Sequence, residues 1–150
     1  MTLGAQAMAT LHAACFTTPR PWSAAEFQGL CDSPLVFALG SAQGFVLGRC
    51  IADEAEVLTL AVDPMARRKG LGRHLMQEFL VEATKRGATT AFLEVARNNP
   101  AAIGLYSHLG FVQTGLRKGY FQDPDGRRTD ALVLARSLDA TAITGPTPLF

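Results

Sequence analysis

Apolar positions in this 150-residue chain change their period several times, and each change marks a different element. Leu3, Ala7, Met8, Leu11 and Cys15 recur at helical spacing, which predicts a helix over residues 3–16. Thr17-Thr18-Pro19-Arg20-Pro21 interrupts it, because a residue before proline is pushed out of the helical region. Ser23-Ala24-Ala25-Glu26 has the spacing of a capping box and predicts a short second helix from Ser23 to about Leu30. The apolar runs then shorten. Leu35–Leu39, Phe45–Ala52 and Val57–Val62 read as strands, with a turn at residues 40–44 and another beginning at Asp53-Glu54. An antiparallel meander is their simplest arrangement.

The strongest amphipathic pattern follows. Leu71, Leu75, Met76, Phe79, Leu80 and Ala83 form one apolar stripe, with Arg73, Gln77, Glu78, Glu82 and Lys85 on the wet side. Glu82 and Arg86 are an i,i+4 pair, and Gly87 supplies the C-terminal cap. Thr89–Val95 is a strand reached through that crossover helix, so it should lie parallel to Val57–Val62. Asn99 as N-cap and Pro100 at the first helical position open a helix carrying Ile103, Leu105, Tyr106 and Leu109, which Gly110 ends. Phe111–Leu116 and Thr129–Arg136 are the last strands, separated by a loop from Lys118 to Arg127 around Asp123-Pro124-Asp125-Gly126. Residues 139–150 have no period and read as an irregular tail after a single domain over 1–138. The expected class is α/β (α+β): a mostly antiparallel mixed sheet divided by one parallel pair, with helices on both faces.

Composition narrows the function. Apolar residues make up 48%, charged residues 18%, and the net charge is +1, an ordinary globular balance that argues against a broad nucleic-acid or membrane-binding face. No apolar run approaches the roughly 18 residues that span a bilayer, and the N-terminus has no signal-peptide pattern, so a cytoplasmic protein is expected. Cys15, Cys31 and Cys50 are odd in number and widely spaced, which suits reduced thiols and neither a disulfide framework nor a zinc motif. His12, His74 and His108 have no metal spacing and read as ordinary surface or helix histidines; no metal is expected.

Positive charge is instead concentrated. Arg67, Arg68 and Lys69 precede Gly70-Leu71-Gly72 at the start of the long helix. Amides at a helix N-terminus bind phosphate, and glycine lets the main chain approach a ligand closely. The segment reads as a pyrophosphate cradle. It is not a Walker loop, since GxxxxGK[ST] is absent, and Leu75 stands where a dinucleotide fingerprint needs its third glycine.

Arg67-x-x-Gly70-x-Gly72 after Ala61-Val62-Asp63-Pro64 resembles the acetyl-coenzyme-A signature of the GCN5-related N-acetyltransferase (GNAT) superfamily. Leu93-Glu94-Val95, Asn99, Ala101-Ala102-Ile103, Leu105-Tyr106 and Leu109-Gly110-Phe111 resemble its ribosomal-protein-alanine N-acetyltransferase (RimI) branch. So do Pro21-Trp22-Ser23, Asp53-Glu54-Ala55-Glu56, and Tyr120 followed by an acidic-glycine turn and Asp130-Ala131; together these cover about residues 20–136. Three features depart from the pattern. The family's first strand is missing or reduced to the residues before Gly4, Ala96 stands where arginine is frequent, and Pro100 replaces a small residue.

The resemblance implies a GNAT fold with a splayed central parallel pair. It implies acetyl transfer from acetyl-CoA, the co-substrate, to a protein N-terminal amine, by direct attack in a ternary complex. The implied acceptor is the N-terminal alanine of a small-subunit ribosomal protein. An α-amine with pKa about 8 needs milder base assistance than a lysine at about 10.4. By the same resemblance Glu94 is the base and Tyr106 the acid for the departing thiolate. Leu60, Ala61 and Val62 should pair with the pantetheine arm, and a strand distortion near Val62 should aim an amide at the carbonyl. Arg67, Arg68, Lys69, Gly70, Leu71, Gly72 and Arg73 should hold the pyrophosphate, with Asn99 and Tyr106 also touching the coenzyme. Trp22, Glu54, Glu56, Tyr120 and Asp123 would form an acidic-aromatic groove for a basic peptide N-terminus. A monomer or weak dimer is expected. The alternatives are a lysine or small-amine acceptor, and a coenzyme-binding module without turnover.

Overall fold

Each local signal in the first half of the chain resolves into a specific contact. The computed structural model describes residues 3–16, 20–67 and 69–138; Arg68, the helix-breaking residues Thr17, Thr18 and Pro19, and the tail over 139–150 lie outside the described residues. Helix α1 is Ala5–Cys15 and α2 is Ala24–Cys31. The capping box forms at α2: the Glu26 N–H donates to Ser23 Oγ at 3.1 Å and the Ser23 N–H donates to Glu26 Oε1 at 2.9 Å. Strands β1 (Val36–Ser41), β2 (Gly44–Ile51) and β3 (Glu54–Val62) form the expected meander. A short 3-10 turn at Pro64–Ala66 leads to α3 (Leu71–Lys85), followed by β4 (Thr90–Ala96), α4 (Pro100–His108), β5 (Val112–Gln122) and β6 (Arg128–Ser137).

The strands make one six-stranded sheet in the order β1-β2-β3-β4-β6-β5, in which β3 and β4 are the parallel pair. Helix α3 buries Leu75, Met76, Phe79, Leu80 and Ala83 in a core with Phe37, Val46, Val57 and Leu93 on one face of the sheet. Met8 and Leu11 of α1 and Phe27 of α2 build a second core with Val36, Phe45, Leu47 and Ala61 on the opposite face. Both glycines at the ends of α3 are left-handed, Gly70 at φ 78° and Gly87 at φ 94°, a conformation glycine adopts without a Cβ penalty. Asn99 caps α4 through Oδ1, which accepts from the Ala102 N–H at 3.2 Å.

Two boundaries differ from the sequence pattern. Strand β3 starts at Glu54, because Ala52 (φ 54°) and Asp53 alone make the turn. Glu54 and Glu56 are polar, so the apolar run begins only at Val57, yet Glu56 is held across the ladder by Arg49 at 2.8 Å. Strand β5 continues well past Leu116 to Gln122, and the intervening loop shrinks to residues 123–127. It is an edge strand and is largely exposed along its length, so no apolar alternation marks it. Among the described residues no strand precedes α1.

One irregularity positions the site. The β2–β3 register passes from Leu47↔Thr59 to Gly48↔Val57, which leaves Leu58 as the extra residue of a β-bulge. Before it, Ala55 and Val57 face the α3 side; after it, Leu60 and Val62 do, while Ala61 turns to α1 and α2. The distortion anticipated near Val62 therefore lies at Leu58. The β3–β4 ladder runs from Glu54↔Thr90 to Val57↔Leu93 and stops there, so the strands part immediately beyond the bulge.

Candidate active site

A cavity of about 980 Å³ opens where β3 and β4 separate. Its lining comes from both faces of the sheet. Trp22, Glu56, Glu94, Tyr120 and Asp123 line it on one side, Asn99, Ala102 and Tyr106 on the other, and Leu58, Thr59 and Leu60 form its β3 wall.

The alternation of β4 places Glu94. Leu93 and Val95 are buried in the α3-side core, so the residue between them projects to the other face. The Glu94 side chain is 20% exposed and ion-pairs through Oε2 with Nε of Arg117 on β5. The Arg117 guanidinium also lies over the Tyr120 ring, 5.3 Å from its centroid. Tyr106 comes from α4 on the opposite side and is 6% exposed, edge-on to Phe111 at 5.9 Å. Burial pushes its phenol well above the ordinary value, so the hydroxyl keeps its proton and acts as a donor.

A second cavity, about 430 Å³, lies at the N-terminus of α3, lined by Gln43, Asp63, Met65, Ala66, Lys69, Gly70, Leu71 and His74. Among the described residues no side chain caps this helix end, and open space lies where a Cβ on Gly70 would stand. Exposed N–H groups at a positive helix end, beside Lys69, fit a pyrophosphate. Gly72 and Arg73 belong to the first turn of α3, where a Cβ on Gly72 would meet Leu105 of α4 at 3.4 Å, an ordinary contact distance. Arg67 Nε donates to the Val62 carbonyl at 3.1 Å, at the end of β3. That carbonyl also accepts from Cys15 Sγ at 3.2 Å, which leaves Leu58 to Leu60 as the better-placed backbone beyond the splay. Ala61 is buried in the α1-side core.

The structure thus gathers Trp22, Glu56, Leu60, Glu94, Asn99, Tyr106, Tyr120 and Asp123 into one cavity and Lys69, Gly70 and Leu71 into the other. Among the residues expected to receive the acceptor, Glu54 is the exception. It is exposed in the β2–β3 hairpin, at the end of β3 away from the splay, and lines neither cavity. Among the described residues no cluster of histidine, cysteine and carboxylate side chains is arranged to hold a metal ion, and no helix is long and apolar enough to cross a membrane.

One important residue reads differently from its sequence pattern. His12 is 1% exposed, not a surface histidine. Its Nδ1 accepts from the Trp22 backbone N–H at 3.0 Å and its Nε2 lies 3.0 Å from Thr59 Oγ1. A backbone N–H can only donate, so the neutral ring carries its proton on Nε2 and donates to Thr59. Trp22 stacks on the imidazole at 5.0 Å, and Phe27 meets it edge-on at 5.3 Å. The signal was present: His12 lies four residues after Met8 and next to Leu11, on the stripe that packs inward.

Burial lowers the His12 pKa from 6.5 to about 4, with the Glu26 carboxylate on α2 opposing that shift. The unfolded chain therefore binds the proton more tightly than the folded one. The contribution of neutral His12 is complete above the unfolded value and is lost as pH falls through the interval down to the folded value. Urea unfolding free energies are expected to drop by about 2–3 kcal/mol across that interval. In His12→Gln the drop should shrink; an equally steep drop would place its source elsewhere.

The family described as Acetyltransferase (GNAT) matches residues 5–111. The chain is 40% identical over 121 residues to the [Ribosomal protein bS18]-alanine N-acetyltransferase of Escherichia coli (strain K12), a match covering 77% of this chain and 80% of the relative. The crystal structure of the ribosomal-protein-S18-alanine N-acetyltransferase from Escherichia coli superposes with a TM-score of 0.80 at 30% identity, covering 97% of this chain and 92% of that one. Arabidopsis thaliana NAA60 in complex with acetyl-CoA shares the fold, with a TM-score of 0.80 at 16% identity over 91% of this chain and 96% of that one.

Proposed function

The chain belongs to the GNAT acetyltransferase family, and from that premise we propose that it transfers acetyl from acetyl-CoA to the α-amine of a protein N-terminus, with the N-terminal alanine of a small-subunit ribosomal protein as acceptor. The observation that carries this reading is the single cavity through the sheet, with the Glu94 carboxylate entering from one face and the Tyr106 phenol from the other. Two substrates can then meet between β3 and β4 without sharing a path.

Acetyl-CoA supplies an activated acetyl thioester. Lys69, Gly70, Leu71, Gly72 and the following amides of α3 hold its pyrophosphate, with Arg68 and Arg73 adding charge. The backbone of β3 from Leu58 to Leu60, past the end of the β3–β4 ladder, offers edge groups to the pantetheine arm and an N–H to the acetyl carbonyl. Glu94 takes the proton of the incoming ammonium, directly or through water, and frees the amine to attack. Tyr106 donates to the departing sulfur. Its raised pKa keeps the phenol protonated, so it serves the developing thiolate as a hydrogen-bond donor. None of the cysteines lines either cavity: Cys15 is half-buried, Cys31 exposed and Cys50 buried, which supports direct transfer without an acetyl-enzyme.

Trp22, Glu56, Tyr120 and Asp123 receive the acceptor. Carboxylates beside aromatic faces suit a peptide bearing an ammonium and further basic residues. A cytoplasmic location follows from this choice of acceptor.

Release of free thiol from acetyl-CoA tests the assignment. An Ala-initiated basic peptide, the same peptide with a blocked N-terminus, and a polyamine are offered in parallel. Turnover is expected with the free Ala peptide alone. Turnover with the blocked peptide or the polyamine would reassign the enzyme to lysine or small-amine acetylation. Coenzyme binding without turnover of any acceptor would favour a binding module.

A further inference from the structure

The side chains of His12 and Thr59 have no part in the chemistry assigned above, yet among the described residues they are the two buried polar side chains. Thr59 is 8% exposed, lines the cavity wall, and follows the bulged residue at the point where β3 leaves β4. Its hydroxyl lies against His12, with the Nε2–H donating to it. A hydroxyl that accepts from an imidazole still has its own proton to give. His12 is in turn fixed by the Trp22 N–H on Nδ1 and by the stacked Trp22 ring, and Trp22 lines the same cavity. One imidazole therefore ties the α1–α2 connection to the bulged segment of β3.

We propose that His12 is a positioning residue of the acceptor side, holding Trp22 in place and orienting the Thr59 hydroxyl to donate to a main-chain carbonyl of the bound peptide. The proposal rests on the N-terminal acetylation reading and adds a specific contact to it. Neutral imidazole is essential to the arrangement. Only in that form can one ring nitrogen accept from a backbone N–H while the other donates to a hydroxyl. The charged group acting on this ring is Glu26 on α2, which is itself ion-paired with Arg20 at 2.7 Å. A buried water would be a poor substitute for the imidazole, because it could not also stack with Trp22 and pack against Phe27. The Thr59 contact also gives the enzyme a means of selecting peptides over small amines. A polyamine offers an ammonium to Glu94 but no carbonyl to Thr59.

Thr59→Val keeps the shape of the side chain and removes its hydroxyl; Thr59→Ser restores the hydroxyl without the methyl. Steady-state kinetics with an Ala-initiated peptide should show its KM raised roughly 3–10-fold in Thr59→Val, the loss of about one hydrogen bond. The KM for acetyl-CoA should not follow, and Thr59→Ser should recover most of the peptide affinity. Trp22 is the only tryptophan in the chain, so its emission reports on the stacked ring without any substrate present. In folded His12→Gln that emission should shift to longer wavelength and the peptide KM should rise similarly. An unchanged peptide KM in Thr59→Val, an equal rise in both KM values, or unchanged Trp22 emission in folded His12→Gln would overturn the proposal. A wild-type enzyme that turns over no free-amine peptide would overturn the acceptor assignment and this contact together; a Thr59→Val enzyme at wild-type peptide KM would overturn this contact alone.

Discussion

Glu94→Gln is expected to lower kcat by roughly 10²–10³-fold, the usual scale for losing a positioned general base, while the KM for acetyl-CoA stays within a small factor. Glutamine keeps the volume and the strand position but cannot accept the ammonium proton at neutral pH. The substitution should leave the fold intact, since the side chain projects into the cavity and not into the core of Leu93 and Val95. Its partner Arg117 is 58% exposed and can be solvated when the carboxylate is gone, so little stability should be lost. Glu56 is another carboxylate lining the same cavity, where it is paired with Arg49. If Glu94→Gln retained most of its rate while Glu56→Gln lost it, the base would have to be moved to the other strand of the parallel pair.

Tyr106→Phe is expected to lower kcat by roughly 10²-fold, near the lower end for a positioned acid. The ring is almost fully buried against Phe111, and phenylalanine reproduces that packing, so the thermal midpoint should barely move. A loss of rate without a loss of stability separates a chemical role from a purely packing one. The leaving group tests the mechanism further. A donor whose thiol is more acidic than that of coenzyme A needs less help at sulfur, and the deficit of Tyr106→Phe should narrow with it. A deficit independent of thiol acidity would assign the hydroxyl to binding or positioning.

Much of this arrangement was legible in the chain because it is written locally. Ser23 with Glu26, Asn99 with Pro100, and the stripe from Leu75 to Ala83 closed by Gly87 each specify an element within one or two turns, and each forms as expected. The parallel partnership of β3 and β4 followed from a single crossover helix. What the sequence concealed depends on neighbours far away along the chain. The bulge at Leu58 is a mismatch between β2 and β3, and no residue in TLAV announces it. Edge strand β5 satisfies its backbone on β6 without needing an apolar face, so Lys118, Gly119, Tyr120, Phe121 and Gln122 read as loop. Glu54 and Glu56 differ by two positions and would share a face in any strand, yet only Glu56 reaches the cavity, because where the ladder ends decides which carboxylate is near the opening. His12 was hidden by its type: its position on the α1 stripe indicated burial, and its polarity suggested the reverse.

The extra residue at Leu58 does to β3 what a one-base insertion does to a reading frame. Upstream of it, odd-numbered residues serve the core under α3; downstream, even-numbered ones do. A single strand is thereby translated in two phases, and Thr59 and Ala61 are delivered to the α1 side where an uninterrupted strand would have presented their neighbours. Half-strands of β3 therefore cannot be exchanged between proteins as if they were modular. A segment grafted without its inserted residue would arrive out of frame, with every side chain beyond the junction on the wrong side of the sheet.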